Sequence, residues 1–265
     1  MGLRSILPAA VGVIGVGVLV SLSIVDHHFK TQACTVADGT VDKSCLARNE
    51  LRARFGRAVY SQFDEELLVR DFFDDARDLT FVDVGAGHYR DMNMTLFFEE
   101  KRGWKGIAVD ANPSFADAYK GHRPSTKFFA YFVADKAEEA RPFFLDDRQW
   151  ALGSGDKNYL TDAGLNVHVH EIAIPSITLD ALLEREGMKK VDFLSMDIEQ
   201  GEPAALAGFD INRWKVRLAC IEMQTAVAPI IRDYMRKHGY ASVNGYAAVD
   251  KINTYFAPAA SPKVR

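Results

Sequence analysis

Acidic residues stand where several apolar runs of this chain end: Asp83 within the run 79–84, Asp110 after 107–109, Asp135 just past 128–133, and Asp197 after 191–196. Carboxylates so placed can accept from hydroxyl or amine donors, or take a proton from a reacting hydroxyl. The densest group is Asp197-Ile198-Glu199-Gln200-Gly201-Glu202, three carboxylates in six residues. Like charges that close raise at least one pKa toward the range where a base works near neutrality. Three readings of Asp197, Glu199 and Glu202 stand side by side. They are a proton acceptor or substrate binder, they cap the helix expected from Pro203, where acids meet the positive end of its dipole, or they hold a divalent ion. The spacing matches no fixed set of oxygen ligands, so no metal is expected.

The stretch Phe81-Val82-Asp83-Val84-Gly85-Ala86-Gly87 reads as a buried β-strand running into a glycine turn. Gly85 and Gly87 lack a Cβ, so the backbone can turn sharply and let a ligand come close, and a side chain at Gly85 would obstruct that ligand. A dinucleotide fingerprint needs a third small residue where Arg90 stands, which argues against NAD or FAD. An adenosyl cofactor without a pyrophosphate needs no phosphate cradle, and two glycines suffice for it. Asp110 is then placed to accept both ribose hydroxyls, or else caps the segment ahead of Pro113. Asp135 accepts from an adenine amine or belongs to a solvated turn. Asp83 faces the cationic end of the cofactor or orients the turn.

His88 lies in the glycine turn, and His168 and His170 share a face if their segment is a strand; each is of a residue type that serves as a general base. No carboxylate at fixed spacing completes a zinc pair. Gly153-Ser154-Gly155 lacks the preceding strand that a nucleophile elbow requires.

These residues must be held by alternating elements. Apolar, β-branched runs at 79–84, 107–109, 128–133, 167–174, 191–196 and 216–222 predict strands, with a hairpin-like piece at 143–145 and two last strands at 241–246 and 253–257. Helical spacing predicts helices at 48–55, 65–76, 94–101, 179–186 and 227–238, with a short one after Pro113. Residues 146–166 read as one long loop, a functional lid or a disordered segment. The pattern implies an α/β fold, a Rossmann-like doubly wound and mostly parallel sheet with an antiparallel edge.

The 265 residues are 48% hydrophobic, enough for one core, with a net charge of −4 and no Lys or Arg run longer than a pair. That excludes the electrostatic footprint of a nucleic-acid binder. Residues 6–25 carry no charge and have the length of a membrane-spanning helix. They read as an uncleaved anchor, with a cleaved signal as the other reading, since Ser21-Leu22-Ser23 is the one small-x-small pattern and lies inside the apolar run. Arg4 on one side is balanced by Lys30 and Lys43 on the other, so orientation stays open. Cys34 and Cys45 could close a loop in an oxidising compartment or remain two thiols, and Cys220 sits in an apolar run as a core residue. The organisation expected is an anchor over 1–30, a stem over 31–57, a catalytic domain over 58–258 and a disordered tail over 259–265.

With those residues in hand, the chain resembles the FkbM-type methyltransferase family, a Rossmann-like (class I) branch dependent on S-adenosylmethionine. The resemblance runs from about Tyr60 to Glu222. It rests on Tyr60-Ser61-Gln62-Phe63-Asp64-Glu65, Phe81 to Gly87, Asn93-Met94-Thr95, Gly103-Trp104-Lys105-Gly106, Asp110-Ala111-Asn112-Pro113 and residues 191–202. It implies S-adenosyl-L-methionine as cofactor and methyl transfer to a hydroxyl of a sugar, glycan or small natural product. By analogy Gly85 and Gly87 cradle the amino-acid part of the cofactor, Asp110 its ribose and Asp135 its adenine. The chain departs from the family at Gly87, where Asn is common, at Asp110, where Glu is usual, and at Gln200, which interrupts a Glu-Gly pair. Two other readings compete: a membrane-tethered scaffold on a decayed fold, and a nucleotide-sugar oxidoreductase.

Overall fold

The computed structural model describes residues 34, 40–146, 153–162 and 168–264. The chain divides into two compact units, Met1–Asn49 and Glu50–Arg265. In the first, Cys34 and Cys45 form a disulfide, and the Asn49 amide donates to Cys34 Sγ (3.1 Å). Helix α1 (Lys43–Phe55) begins before the expected residue 48, because Asp42 Oδ1 accepts from the backbone N–H groups of Ser44 and Cys45 (2.8 and 3.2 Å) and so caps an earlier turn. The expected anchor at residues 6–25 lies outside the described residues. Among the described residues no helix is long and apolar enough to cross a membrane.

The second unit runs α2 (Glu65–Phe72), β1 (Thr80–Val84), α3 (Leu96–Arg102), β2 (Lys105–Asp110), α4 (Ala116–His122) and β3 (Thr126–Ala130). There follow β4 (Phe132–Val133), β5 (Glu138–Asp146), β6 (Gly153–Ser154), α5 (Lys157–Asp162), β7 (Val169–Ile177) and α6 (Leu179–Arg185). The chain ends with β8 (Phe193–Met196), α7 (Glu202–Ala207), β9 (Leu218–Glu222), α8 (Ala228–Lys237), β10 (Tyr240–Ser242), α9 (Tyr246–Val249) and β11 (Asn253–Pro258). Seven strands form one sheet in the order β10-β11-β9-β8-β1-β2-β3. Only β11 runs antiparallel to its neighbours, as expected for the edge region. Burial on both faces explains the central strands: Phe81, Val82, Ala108, Val109, Phe193, Leu194, Leu218 and Ala219 are all sealed from solvent. The chain places β2 and β3 on one side of β1 and returns to lay β8 and β9 on the other. The carboxyl ends of β1 and β8 therefore flank the crevice where such sheets bind ligands.

The expected single sheet is incomplete. The strand read at 128–133 breaks at Tyr131, whose N–H donates to the Asp110 carbonyl (3.0 Å), and Phe132–Val133 pairs instead with Ser176 and Ile177 of β7. A second, four-stranded sheet results, in the order β4-β7-β5-β6. Its nine-residue strands β5 and β7 pair antiparallel, and β5 is longer than the expected piece at 143–145. Its first half, Glu138 to Pro142, carries three charged residues and is partly or fully exposed, so no hydrophobic run marks it. The expected loop at 146–166 contains β6 and α5.

The tail expected to fray is held through Val264. Ala259 N–H donates to Gly239 (2.9 Å), Asn244 Nδ2 to the Val264 carbonyl (2.8 Å) and Lys263 Nζ to Asp71 (3.0 Å).

Candidate active site

The glycine turn is fixed from behind. Gly85 and Gly87 both take left-handed backbone, with φ of 78° and 56°, which glycine adopts without steric cost. Asn93 Nδ2 donates to the carbonyls of Ala86 and His88 (3.2 and 3.1 Å), and its Oδ1 accepts from Thr95 and Leu96 N–H (3.0 and 2.8 Å) at the start of α3. Asn93 thus couples the turn to the helix. Asp83 lies below the turn, 3% exposed. Its Oδ2 accepts from the Thr95 hydroxyl (2.8 Å), and burial pushes its carboxyl up while Thr95 and the Arg123 guanidinium pull it down. It borders a small recess of about 60 Å³ beside the main cleft.

A position at Gly85 carries more than ligand clearance. A Cβ there would stand 1.8 Å from the Asp197 carbonyl oxygen. The obstruction expected of a side chain at this site is with the protein's own backbone, where the ends of β1 and β8 touch.

The main cleft holds about 370 Å³, within the range of about 300–1,000 Å³ for small-molecule sites. One end is formed by the glycine turn, Asp110, Ala111 and Asn112. Asp110 Oδ2 accepts from Gly87 N–H (2.8 Å) and Oδ1 from Asn112 N–H (2.8 Å). Burial, opposed by those two bonds, raises its pKa to about 6. Donors of a ligand at its remaining lone pairs favour the ionised form. Phe132, Phe143 and Leu145 from the second sheet, with Tyr131 at the break ahead of it, supply an apolar wall that the sequence did not announce.

Asp135 is not brought to the cleft. After Val133, the Ala134 N–H bonds to Ile177 (3.0 Å), and Asp135 opens an exposed turn beside the Lys136–Glu138 ion pair. The solvated-turn reading describes it, and its assignment to the adenine is corrected. His168 and His170 are exposed and do not line the cleft. His88 does, with its Nδ1 accepting from Asp91 N–H (3.0 Å).

At the other end the acids converge. Register between β8 and β9 pairs Met196 with Ile221, so Asp197 and Glu222 follow side by side. The chain then reverses through Glu199 and Gln200, both left-handed at φ 53° and 73°. That backbone costs a non-glycine residue about 1–2 kcal/mol each, and strain of this kind gathers at functional sites. The reversal returns Glu202, fully buried, and its Oε1 accepts from Ile198 N–H (2.9 Å). One carboxylate oxygen each from Asp197, Glu202 and Glu222 lies within 4.8 Å of the others.

Desolvation first, then the neighbouring carboxylates, raises all three pKa values, with Glu202 reaching about 7. Asp197 is open to solvent along the cleft yet walled by protein on its other sides, and that enclosure keeps its charge poorly hydrated. Glu199 Oε2 accepts from Gln224 Nε2 (2.8 Å) and from the Tyr159 hydroxyl of α5; Gln224 also donates to Glu222 (2.8 Å). No side-chain bond caps the helix that Glu202 opens, and Asp197 and Glu199 face the cleft.

Glu222, Gln224 and Tyr159 were missing from the sequence-based set. Glu222 carried the same signal as the other acids, a carboxylate at the end of an apolar run. Gln224 and Tyr159 carried none.

The family model described as the methyltransferase FkbM domain matches residues 83–242. No curated protein matches the chain. Among solved structures it is similar to a TehB-like S-adenosylmethionine-dependent methyltransferase from Corynebacterium glutamicum, at 12% identity and a TM-score of 0.42 over 80% of this chain and 94% of that one. It is also similar to a precorrin-6y C5,15-methyltransferase from Geobacter metallireducens (10%, 0.39, 75% and 90%). A third is an S-adenosylmethionine-dependent methyltransferase from Geobacter sulfurreducens in complex with S-adenosyl-L-homocysteine (10%, 0.36, 75% and 72%).

Proposed function

The chain belongs to the FkbM methyltransferase domain family, an S-adenosylmethionine-dependent methyltransferase, and on that premise we propose that it methylates a hydroxyl of a sugar, glycan or small natural product. The observation that carries this reading is the carboxylate cluster at the far end of the cleft from Asp110. Methyl transfer from a sulfonium is an in-line displacement whose electrophile is already activated. The acceptor oxygen bonds to the methyl carbon, the S–C pair returns to sulfur as a neutral thioether, and the hydroxyl proton must leave. The protein's tasks are alignment and proton acceptance. Carboxylates with raised pKa values suit the second task, and Asp197, open to the cleft, is best placed for it. Beside Asp197, where the ends of β1 and β8 touch, Gly85, Gly87 and Asp83 hold the amino-acid part of the cofactor, and farther along the cleft Asp110 takes its ribose hydroxyls.

Incubation with methyl-labelled S-adenosylmethionine and a panel of sugars, glycans and hydroxylated small molecules tests the acceptor class. Label retained through mild alkali, as an ether, is expected. Label found only on amines, or on RNA offered in the same panel, overturns the reading.

The same reading attaches the enzyme to a membrane through residues 6–25, and the Cys34–Cys45 disulfide supports an oxidising compartment on the side of the stem. The full-length chain should stay in the membrane pellet after a carbonate wash. Its two stem cysteines should react with a membrane-impermeant maleimide on intact cells only after reduction. Recovery of uncut protein in the soluble fraction overturns the anchor, and thiols reactive without reduction but only after lysis overturn the oxidising side.

A further inference from the structure

Asp197, Glu202 and Glu222 come from three elements: the end of β8, the first residue of α7 and the end of β9. No Lys or Arg lines the cleft that Asp197 and Glu222 border. Glu202 is 0% exposed; Ile198 N–H satisfies its Oε1, while its Oε2 is buried and has no hydrogen-bond partner. A buried carboxylate oxygen without a donor, beside two further carboxylates, is a site short of positive charge.

We propose that Asp197, Glu202 and Glu222 bind one divalent, oxygen-seeking cation of the magnesium or manganese class at the methyl-transfer end of the cleft. The donor set is all oxygen, which suits hard divalent ions. Oxygens on opposite sides of such an ion, at about 2.0–2.6 Å from it depending on the metal, stand about 4–5 Å apart, and the three ligand atoms lie within 4.8 Å of one another. The sequence spacing concealed this set, because the third ligand arrives from another strand. The opening of Asp197 to the cleft leaves coordination positions for water and for the acceptor.

The consequence for chemistry rests on the hydroxyl-methylation reading above. An acceptor hydroxyl on the ion is more acidic than a free one. Its oxygen attacks the methyl carbon, the S–C electrons return to sulfur, and the proton passes to Glu199, which lines the cleft, because Asp197, the proton acceptor of the ion-free reading above, is then engaged as a ligand.

The test titrates Mn²⁺ into chelator-stripped protein, following free Mn²⁺ by electron paramagnetic resonance, with S-adenosylhomocysteine affinity measured separately by calorimetry. One saturable ion per chain, displaced by Mg²⁺, is expected. Glu202→Gln and Glu222→Gln should each weaken it roughly tenfold or more, as loss of a charged ligand does, with cofactor affinity unchanged. Each variant's melting curve reports folding, and the second stands in if the first fails. Absence of saturable binding up to about 1 mM, or equal binding by wild type and both folded variants, overturns the site. The two readings fail separately: ion binding without hydroxyl methylation overturns the acceptor class alone, and hydroxyl methylation without ion binding overturns the ion alone.

Discussion

Gly85→Ala should cost the fold roughly 2–5 kcal/mol and lose most binding of S-adenosylhomocysteine. The new Cβ meets the Asp197 carbonyl at 1.8 Å, and neither partner can yield easily, since both are main chain. Left-handed φ contributes about 1–2 kcal/mol and overpacking about 1–3 kcal/mol. For a domain of this size each kcal/mol shifts the melting temperature by roughly 2–4 °C. Pushing the β1 and β8 ends apart also moves the glycine turn and Asp197, which form opposite walls of one crevice. Gly121→Ala is the control: a Cβ there has open space within α4, and alanine favours helix by up to about 1 kcal/mol. A Gly85→Ala protein that melts and binds like wild type would show that the two strand ends do not pack as described.

Asp197→Asn should lower turnover about 10²–10⁴-fold, the usual contribution of a positioned acid or base, and leave S-adenosylhomocysteine affinity nearly unchanged. Asparagine keeps the volume and removes the negative charge. The fold should not suffer, because the carboxylate it replaces is crowded by Glu222, Glu199 and Glu202. pH supplies the sign. Buried acids whose folded pKa exceeds the ordinary value near 4.3 stabilise the fold fully below that value, and the contribution is lost as pH rises through the folded pKa, about 7 for Glu202. With chelator present, wild-type melting temperature should therefore fall between about pH 5 and 7, and Asp197→Asn should flatten that fall. Catalysis runs the other way, since the rate should climb as pH rises and the cluster becomes able to accept a proton. Equal losses of turnover and cofactor affinity would move Asp197 to the cofactor end instead.

The sequence by itself determined the central sheet, the glycine turn and the acids at strand ends. Strands buried on both faces must be continuously apolar, as residues 79–84 and 191–196 are, and the turn after β1 needs left-handed backbone that Gly85 and Gly87 supply. Asp83, Gly85, Gly87, Asp110, Asp197, Glu199 and Glu202 all stand at the sheet's carboxyl edge, because in such a fold every parallel strand ends there. The tertiary structure decided what crosses between elements. Strand register alone sets Glu222 beside Asp197, and the break at Tyr131 sends Phe132 into a second sheet and carries Asp135 away from the cleft. That sheet was hidden by its composition: the first half of β5 is charged and partly exposed, so its stability comes from pairing with β7 rather than from a local apolar run. Whether neighbouring carboxylates repel, share a proton or enclose an ion depends on distances between residues far apart in the chain, and sequence spacing does not encode those.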